Sequence, residues 1–194
     1  MRQRISRGFT LIELVVVVAL IGIAATFAVT SYQSHLVRTR VVEGLQLAEA
    51  ARNQIATEGI ASQDELDRVS NAWNRQAGGT GANSKFVERI CISSPDCANV
   101  QPGEGNGSIT IVYRGDASGT GTNNQLQLIP LMRNAANAAA AEGLPAALAA
   151  GSSGALDWAC VAETNTAALT MADAALVPVL PQGVRQDLLP SQCR

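Results

Sequence analysis

Glu13 is a carboxylate in an unusual chemical setting, because it stands at the beginning of a long apolar run. Residues 14–29 carry no charge and consist mainly of valine, isoleucine, leucine and alanine. Counted from Phe9, the largely apolar stretch reaches the ~20 residues that a membrane helix needs. An ionisable side chain inside such a helix costs about 2.5–3.5 kcal/mol on insertion scales, and it is by default a functional residue. Glu13 is therefore the first candidate for a chemical role.

The cysteines are the second group with possible chemistry, and all of them follow the apolar run: Cys91, Cys97, Cys160 and Cys193. An even number of cysteines in an exported region predicts two disulfides, and the sequence leaves the three connectivities open. A zinc site is the alternative. Cys91 and Cys97 are spaced too widely for a zinc knuckle, and the sole histidine, His35, is far away in sequence. We interpret His35 as a partly exposed surface residue.

The residue sets of common enzyme sites are missing from the sequence. We find no nucleophile with a base, no metal-ligand set and no phosphate-binding loop. The glycine-rich residues 103–107 lack the lysine of a phosphate-binding loop, and we interpret them as a turn before a strand. We therefore expect no catalytic residue, no metal and no cofactor.

Composition and charge limit the remaining classes. A chain of 194 residues fits one domain with an anchor. Hydrophobic residues make up 47%, many of them alanine, and aromatic residues only 4%, so any globular core is small and aliphatic. The net charge of -2 argues against a surface that coats nucleic acid, although it leaves weaker nucleic-acid binding undecided.

The residues before the apolar run predict its orientation. Positive charges there keep the N-terminus in the cytoplasm and place the chain from Ser31 onward outside. An ordinary secretory signal peptide is the alternative, with small residues between positions 24 and 28 for cleavage. Glu13 argues against it, because a disposable signal peptide has no use for a carboxylate. The charges in question are Arg2, Arg4 and Arg7.

A helical pattern continues beyond the apolar run. Apolar residues recur every three or four positions and lie on one face of a helix. No proline interrupts residues 9–58, and Gly59 is a suitable end. We predict one helix with an apolar half, 9–30, and an amphipathic half, 31–58. The recurring residues are Val37, Val41, Leu45, Ala48, Ala51 and Ile55.

Residues 8–14 resemble the processing and assembly motif of type IV prepilins and stand where that family carries it. Their sequence is Gly8-Phe9-Thr10-Leu11-Ile12-Glu13-Leu14. Residues 38–48 (RTRVVEGLQLA) resemble the helix of a major pilin, and residues 189–194 (LPSQCR) are similar to a pilin C-terminus. The resemblance implies an α+β pilin roll, in which a long N-terminal α-helix packs on an antiparallel sheet of about four strands.

The resemblance also implies roles for three residues. A prepilin peptidase would cleave after Gly8, which removes residues 1–8, and Phe9 would then be N-methylated. The Glu13 carboxylate would meet the N-terminal amine of a neighbouring subunit, because a partnered charge in an apolar setting is far less costly than a lone one. Thr30 stands where many members have a proline, so a helix kink is in doubt there.

The rest of the chain is predicted as an αβ loop, 59–106, followed by a sheet with a disulfide-closed C-terminal loop, 107–194. Ser62 and Glu65 have the spacing of a capping box that opens a short helix. Residues 71–84 are predicted as loop, and the alanine-rich residues 134–150 as a helix-turn-helix insertion. Alternating or β-branched residues predict strands at 86–92, 108–114, 124–132 and 156–161.

The family's C-terminal loop implies that Cys160 pairs with Cys193. Cys91 then pairs with Cys97, and the two enclose the turn-forming residues 94–96. We adopt this pairing among the three connectivities.

The function implied by the resemblance is that of a structural subunit of the type IV pilus. It would polymerise with copies of itself into a surface filament for adhesion and twitching motility, and DNA uptake is a further candidate role. Its partners would include the prepilin peptidase and the inner-membrane pilus assembly machinery. The subunit would span the inner membrane once before assembly and lie in the extracellular pilus afterwards. The alternatives are a minor pilin or type II secretion pseudopilin, and a soluble periplasmic domain with an ordinary signal peptide.

Overall fold

The computed structural model describes residues 8–133 and 141–194, which form two compact units. The first unit ends at Leu36, and the second is Val37–Arg194. One long helix, α1 (Leu11–Gln54), begins in the first unit and ends in the second, and it is continuous through position 30. The arginines Arg2, Arg4 and Arg7 and residues 134–140 of the predicted insertion lie outside the described residues.

The second unit is an α+β structure with one antiparallel sheet. The helices are α2 (Gln63–Asn74), α3 (Gly115–Ser118) and α4 (Leu144–Ala150); the strands are β1 (Val87–Ile92), β2 (Ile109–Tyr113), β3 (Gln125–Arg133), β4 (Glu142–Gly143) and β5 (Ala155–Val161). The strands pair in the order β1-β2-β3. Strand β3 has two further neighbours, β4 on the same side as β2 and β5 on the opposite side. Strands were expected at four of these places, and β4 was not anticipated.

The end of α1 differs from the prediction of a regular helix to Glu58. The α-helix ends at Gln54, and a π-helical turn, Ile55–Gly59, completes the helical stretch. Ile55 and Gly59 are buried in this turn. The hydroxyl of Thr57 donates to the carbonyl of Asn53 at 2.9 Å and so satisfies one of the carbonyls at the helix end. The π-helical turn thus keeps Ile55, the last of the recurring apolar residues, on the buried face of the helix.

Helix α2 confirms the predicted cap at Ser62 and corrects the predicted loop. The backbone N–H of Glu65 donates to the Ser62 hydroxyl at 3.2 Å. The helix continues to Asn74, so the prediction of loop for residues 71–74 was wrong. The reason is tertiary. The amides of Asn71 and Asn74 pair with the backbones of Val100 and Ile92, which makes asparagine favourable within this helix.

The alanine-rich segment is not a helix-turn-helix in its described part. Residues 142–143 form the short strand β4, and Gly143 is the cap before α4. Pro145 lies in the first turn of α4, where the missing N–H of proline costs no hydrogen bond. Gly143-Leu144-Pro145 therefore starts a helix, whereas we had predicted that it separates two helices.

Pro130 lies in the middle of the sheet, where proline is normally excluded. The pairing of β3 with β2 ends at Leu128, and its pairing with β4 begins at Leu131. Pro130 therefore occupies the gap between these two partners, where no ladder hydrogen bond is needed from its nitrogen.

The core of the second unit forms between α1 and one face of the sheet. The predicted stripe is buried from Val41 to Ile55, and Val37 packs against its edge, which confirms the periodicity argument. A smaller apolar cluster lies apart from this core and joins Leu131, Ala159 and Val161 of the sheet to the C-terminal segment. Both clusters are mainly aliphatic, as the composition predicts.

Gly44 permits the closest contact between α1 and the sheet. A Cβ on Gly44 would lie 2.5 Å from the Tyr113 hydroxyl and 2.6 Å from its ring. The fully buried Tyr113 donates its hydroxyl to the carbonyl of Val41 at 2.8 Å. Burial, together with the charge of Glu43, raises the pKa of Tyr113 above its ordinary value, so the hydroxyl keeps its proton and the hydrogen bond.

We predict that Gly44→Ala lowers the free energy of unfolding of the second unit by about 1–3 kcal/mol, because overpacking outweighs the gain of about 1 kcal/mol in helix propensity. The measurement is urea unfolding of the detergent-solubilised chain, followed by near-ultraviolet circular dichroism. Gly22→Ala is the matched control, since a Cβ on Gly22 meets no atom within 4 Å. Equal stability of Gly44→Ala and the parent chain would contradict this account.

Candidate processing and assembly site

The N-terminus of α1 places the motif residues at an exposed helix start. The hydroxyl of Thr10 accepts a hydrogen bond from the Glu13 backbone N–H at 3.3 Å, and it lies 3.4 Å from the Glu13 carboxylate. The backbone carbonyl of Thr10 accepts from Leu14 N–H at 3.2 Å. Thr10 is thus the N-cap of α1, and Glu13 stands three residues on, as in a capping box.

This cap was missed in the sequence, although its signal was present. The spacing of Thr10 and Glu13 before an apolar run is that of a capping box. A carboxylate in the first turn also interacts favourably with the positive end of the helix dipole. The local geometry therefore stabilises Glu13 to some extent, but among the described residues no cation forms an ion pair with it.

Gly8 and Phe9 precede the helix in an exposed stretch of chain without regular secondary structure. A Cβ on Gly8 would meet no atom within 4 Å, and Gly8 does not adopt the left-handed conformation that favours glycine. Nothing in the described structure therefore requires glycine at this position. Phe9 is 74% exposed and has no place in a core. The residue types at positions 8 and 9 thus need an explanation outside the fold of the single chain.

The apolar part of α1 is exposed within the first unit. The helical stretch Leu11–Gly59 contains an 18-residue window with a mean hydropathy of 2.6, and none of that window is buried. By length and composition it can cross a membrane. Large exposed apolar side chains include Leu11, Ile12, Leu14, Val15, Val16, Val17, Val18, Leu20, Ile21, Ile23, Phe27 and Val29. A surface of this size marks a membrane or protein contact.

The cysteines lie in the second unit as two disulfides, Cys91–Cys97 and Cys160–Cys193. This is the pairing that the resemblance implies, and the chain has no free cysteine. No group of three or more histidine, cysteine or acidic residues in the described part of the chain could hold a metal ion. His35 is exposed.

The segment between Cys160 and Cys193 is held to the sheet by backbone contacts as well as by the disulfide. Gln125 N–H donates to Gln182 at 2.9 Å, and Val184 N–H donates to Gln125 at 2.8 Å, so the segment lies beside the end of β3. Gly183 fits there because a Cβ would overlap the backbone of Ala162 and Glu163. The sequence showed the prolines of this segment but gave no sign of the need for Gly183.

The glycine-rich residues 103–107 form a turn, as expected, and the turn is built around a buried carboxylate. Asp67 of α2 accepts hydrogen bonds from Gly103 N–H at 2.6 Å and from Gly105 N–H at 2.8 Å, and its neighbour Gln63 donates to it at 3.0 Å. The glycines therefore bind a carboxylate of the same chain, and this satisfies Asp67 in the interior.

Comparison with known proteins identifies the family. Residues 3–29 match the prokaryotic N-terminal methylation motif, and residues 37–194 match the pilin (bacterial filament) family. A crystal structure of a type IV pilin from Pseudomonas aeruginosa strain Pa110594 is similar to 82% of this chain and 98% of that chain, with a TM-score of 0.67 and 36% identity.

Similar sequences include fimbrial proteins of Dichelobacter nodosus. One type IV major fimbrial protein, FimA, is 30% identical over 119 residues, which are 60% of this chain and 71% of the relative. A second fimbrial protein is 32% identical over 122 residues, which are 60% of this chain and 73% of the relative. Another FimA is 50% identical over 54 residues, which are 28% of this chain and 33% of that protein.

This chain belongs to the pilin family of bacterial filament proteins. Its fold, a long N-terminal helix with an antiparallel sheet, confirms the predicted architecture. The expected class of function, a structural subunit of a type IV pilus, is likewise confirmed, and neither a pseudopilin nor a soluble periplasmic domain is favoured. The N-terminal motif implies processing by a prepilin peptidase, and the apolar helix suggests membrane anchoring before the pilus forms.

We predict that the two disulfides differ in their contribution to stability. Cys160–Cys193 spans 33 residues and Cys91–Cys97 spans 6. By the chain-entropy estimate, replacing both cysteines of the long pair with serine lowers the free energy of unfolding by about 4 kcal/mol, against about 2 kcal/mol for the short pair. Urea unfolding of the two double variants checks the order. A larger loss for the short pair would contradict it.

Proposed function

We propose that the chain is the major subunit of a type IV pilus, anchored by α1 in the inner membrane until an assembly machinery moves it into the filament. The observation that carries this proposal is the exposed apolar part of α1, with the carboxylate of Glu13 at its start. A soluble domain has no use for such a surface, whereas a subunit stored in a membrane and then packed against other helices needs one. As a filament subunit it performs no catalysis.

Processing follows from the sequence and exposure at the helix start. We infer cleavage after Gly8 by a prepilin peptidase that faces the cytoplasm, followed by N-methylation of Phe9. Both residues are exposed and lie outside the helix, before the Thr10 cap, so a peptidase can reach the bond without unfolding a helix. The absence of a structural need for glycine at position 8 supports recognition of Gly8 by the peptidase.

Glu13 would act as the register residue of assembly. Cleavage creates an amine at Phe9, close to the helix start, and in an apolar environment that amine and the Glu13 carboxylate both need partners of opposite charge. Because no cation of the described chain pairs with Glu13, the amine of a neighbouring subunit is the natural partner. A subunit in the wrong axial position would leave both charges unpaired, so pairing selects the register.

The filament would serve surface adhesion and twitching motility, with DNA uptake as a further candidate role. The relatives are named as major fimbrial proteins, which supports an abundant subunit over a minor pilin. Intact mass and N-terminal sequencing of protein sheared from the cell surface test this. An abundant chain that starts at methylated Phe9 and carries two disulfides supports the proposal. The same chain at trace level would favour a minor pilin, and a start near Thr30 would mean an ordinary signal peptide.

We predict that Gly8→Val blocks cleavage without disturbing the fold. A side chain at position 8 meets no atom of the folded chain, but it would enter the peptidase active site beside the bond to be cut. The expected result is full-length precursor in the membrane fraction, measured by intact mass, with a circular dichroism spectrum like that of the parent. Normal cleavage of Gly8→Val would remove Gly8 from the recognition motif.

We predict that Glu13→Gln is cleaved normally but reduces the yield of sheared filaments about tenfold or more, since 1.4 kcal/mol per addition step already changes an equilibrium tenfold. Glu104→Gln is the matched control, because Glu104 is exposed in a loop and its loss removes the same charge. Filament yield is measured by quantitative immunoblotting of the sheared and membrane fractions. Parent-level piliation in Glu13→Gln would overturn the role of Glu13 in register.

A further inference from the structure

The two edge strands of the sheet, β1 and β5, differ in how far their outward backbone groups are hydrogen-bonded. At the β1 edge, Ile90 N–H donates to Thr80 at 3.0 Å, and its carbonyl accepts the indole N–H of Trp73 at 2.7 Å. The side-chain amide of Asn74 pairs with both backbone groups of Ile92 at 2.8 and 2.9 Å. This edge is therefore closed by other parts of the same chain, as monomeric proteins usually require.

The β5 edge is open over its first half. The Tyr113 N–H donates to the Asn124 carbonyl at 2.8 Å, so Asn124 and every second residue after it direct their backbone groups toward β2. The residues between them direct their backbone groups toward β5. In β5, Asp157 and Ala159 lie opposite residues of that second set and bond to β3. Their neighbours Leu156 and Trp158 therefore direct their backbone groups away from the sheet. Both residues are only half-buried, and in the described part of the chain no backbone group pairs with them on that side.

The closed part of this edge begins further along the chain. The carbonyl of Ala162 accepts a hydrogen bond from Leu180 N–H at 2.8 Å, and Cys160 is buried beside its disulfide partner Cys193. The C-terminal segment thus covers one end of the edge and stops short of Trp158. The open stretch is limited to a few residues, which fits a short extended peptide better than a long intermolecular sheet.

A cleft lies beside the open edge, between α1 and β5, and its volume is about 320 Å³. Glu49, Arg52, Trp158 and Gln192 line it. The Arg52 guanidinium stacks on the Trp158 ring with 5.3 Å between its central carbon and the ring centre, and it forms an ion pair with Glu49. The Nε–H of Arg52 is buried, yet among the described residues it finds no acceptor.

We propose that the open edge of β5 binds an extended peptide strand of another protein, which inserts an asparagine or glutamine side chain into the cleft beside Arg52. Leu156 and Trp158 offer alternating donors and acceptors with which a second backbone strand can pair, and the cleft receives every second side chain of such a strand. The Glu49–Arg52 pair is neutral as a whole. A primary amide suits it, because the amide oxygen accepts from the guanidinium and the amide N–H donates to the carboxylate.

The arrangement of charges argues against a second copy of this chain as the occupant. If two β5 edges paired antiparallel about their open stretch, the two Asp157 carboxylates would come to lie opposite each other, which is unfavourable. Each Asp157 already has a partner in its own chain, Arg133 at 2.8 Å. An uncharged strand from a different protein meets no such repulsion.

The test uses the full chain in detergent micelles and a capped heptapeptide that alternates threonine and valine, with asparagine at its centre. We expect slower amide hydrogen exchange at Leu156 and Trp158, with half-saturation below about 1 mM peptide. The same peptide with central lysine should bind about tenfold more weakly, because lysine has no acceptor and places a second cation beside Arg52. N-methylation of alternate residues along one edge of the peptide should abolish the protection, because it removes the pairing N–H groups.

Two protein variants complete the test. Leu156→Pro removes the outward N–H while leaving the bonds of the neighbouring residues to β3, and it should weaken binding about tenfold or more. Leu156→Ala keeps the N–H and should weaken binding less than about threefold, which separates pairing from packing. No protection at about 1 mM peptide, or equal binding of the N-methylated peptide, overturns the proposal. So does self-association of the second unit through β5, seen as peptide-independent protection that rises with protein concentration.

Discussion

The fold of the second unit depends on the close approach of α1 to the sheet at Gly44 and Tyr113. A chain with few aromatic residues has few large side chains to fill a gap between a helix and a sheet. The one buried tyrosine in this core fills that gap only because its neighbour on the helix is glycine. Its hydroxyl bond to the Val41 carbonyl then fixes the position of the helix along the sheet. The short aliphatic side chains around it pack because this contact sets their distance.

The C-terminal segment shows how a chain is held where it has little regular structure. Between β5 and the C-terminus only short helical turns occur, so main-chain ladders cannot hold it. Three devices replace them: the Cys160–Cys193 bond at its end, the bridge of Gln125 to the backbone near Gly183, and the small apolar cluster around Val177. The disulfide acts mainly on the unfolded chain, whereas the bridge and cluster act on the folded one. Loss of the disulfide would therefore raise the population of unfolded chain more than it would alter the folded path.

The sequence predicted those features that depend on local periodicity. The buried stripe of α1, the Ser62 cap and the four main strands follow from spacing that any short window contains. The extension of α2 to Asn74 was missed, because asparagine disfavours a helix until a strand end lies beside it to accept its side chain. The two-residue β4 was missed because it forms only by pairing with β3, and the π turn at Ile55 was missed because the apolar periodicity does not distinguish it from an α-helical turn. In the motif region the sequence identified Glu13 and overlooked its cap, Thr10, although their spacing was sufficient.

Most polar groups of the described second unit are hydrogen-bonded, so a group without a partner is evidence for a partner outside the chain. Asp67 takes two backbone N–H groups, Asn74 closes a strand end, and Tyr113 reaches a helix carbonyl. Against that background two sites stand out among the described residues, because no cation pairs with the Glu13 carboxylate in the first unit and no strand pairs with the outer edge of β5 beside Arg52 in the second. The first lacks a cation in an apolar setting, and the second lacks a backbone strand. Burying either group without a partner would cost several kcal/mol, so each is expected to be stable only in water or in a complex that supplies the partner. The chemistry of the missing partner, an amine in one case and a peptide strand in the other, therefore follows from the same hydrogen-bonding and charge requirements that explain the fold.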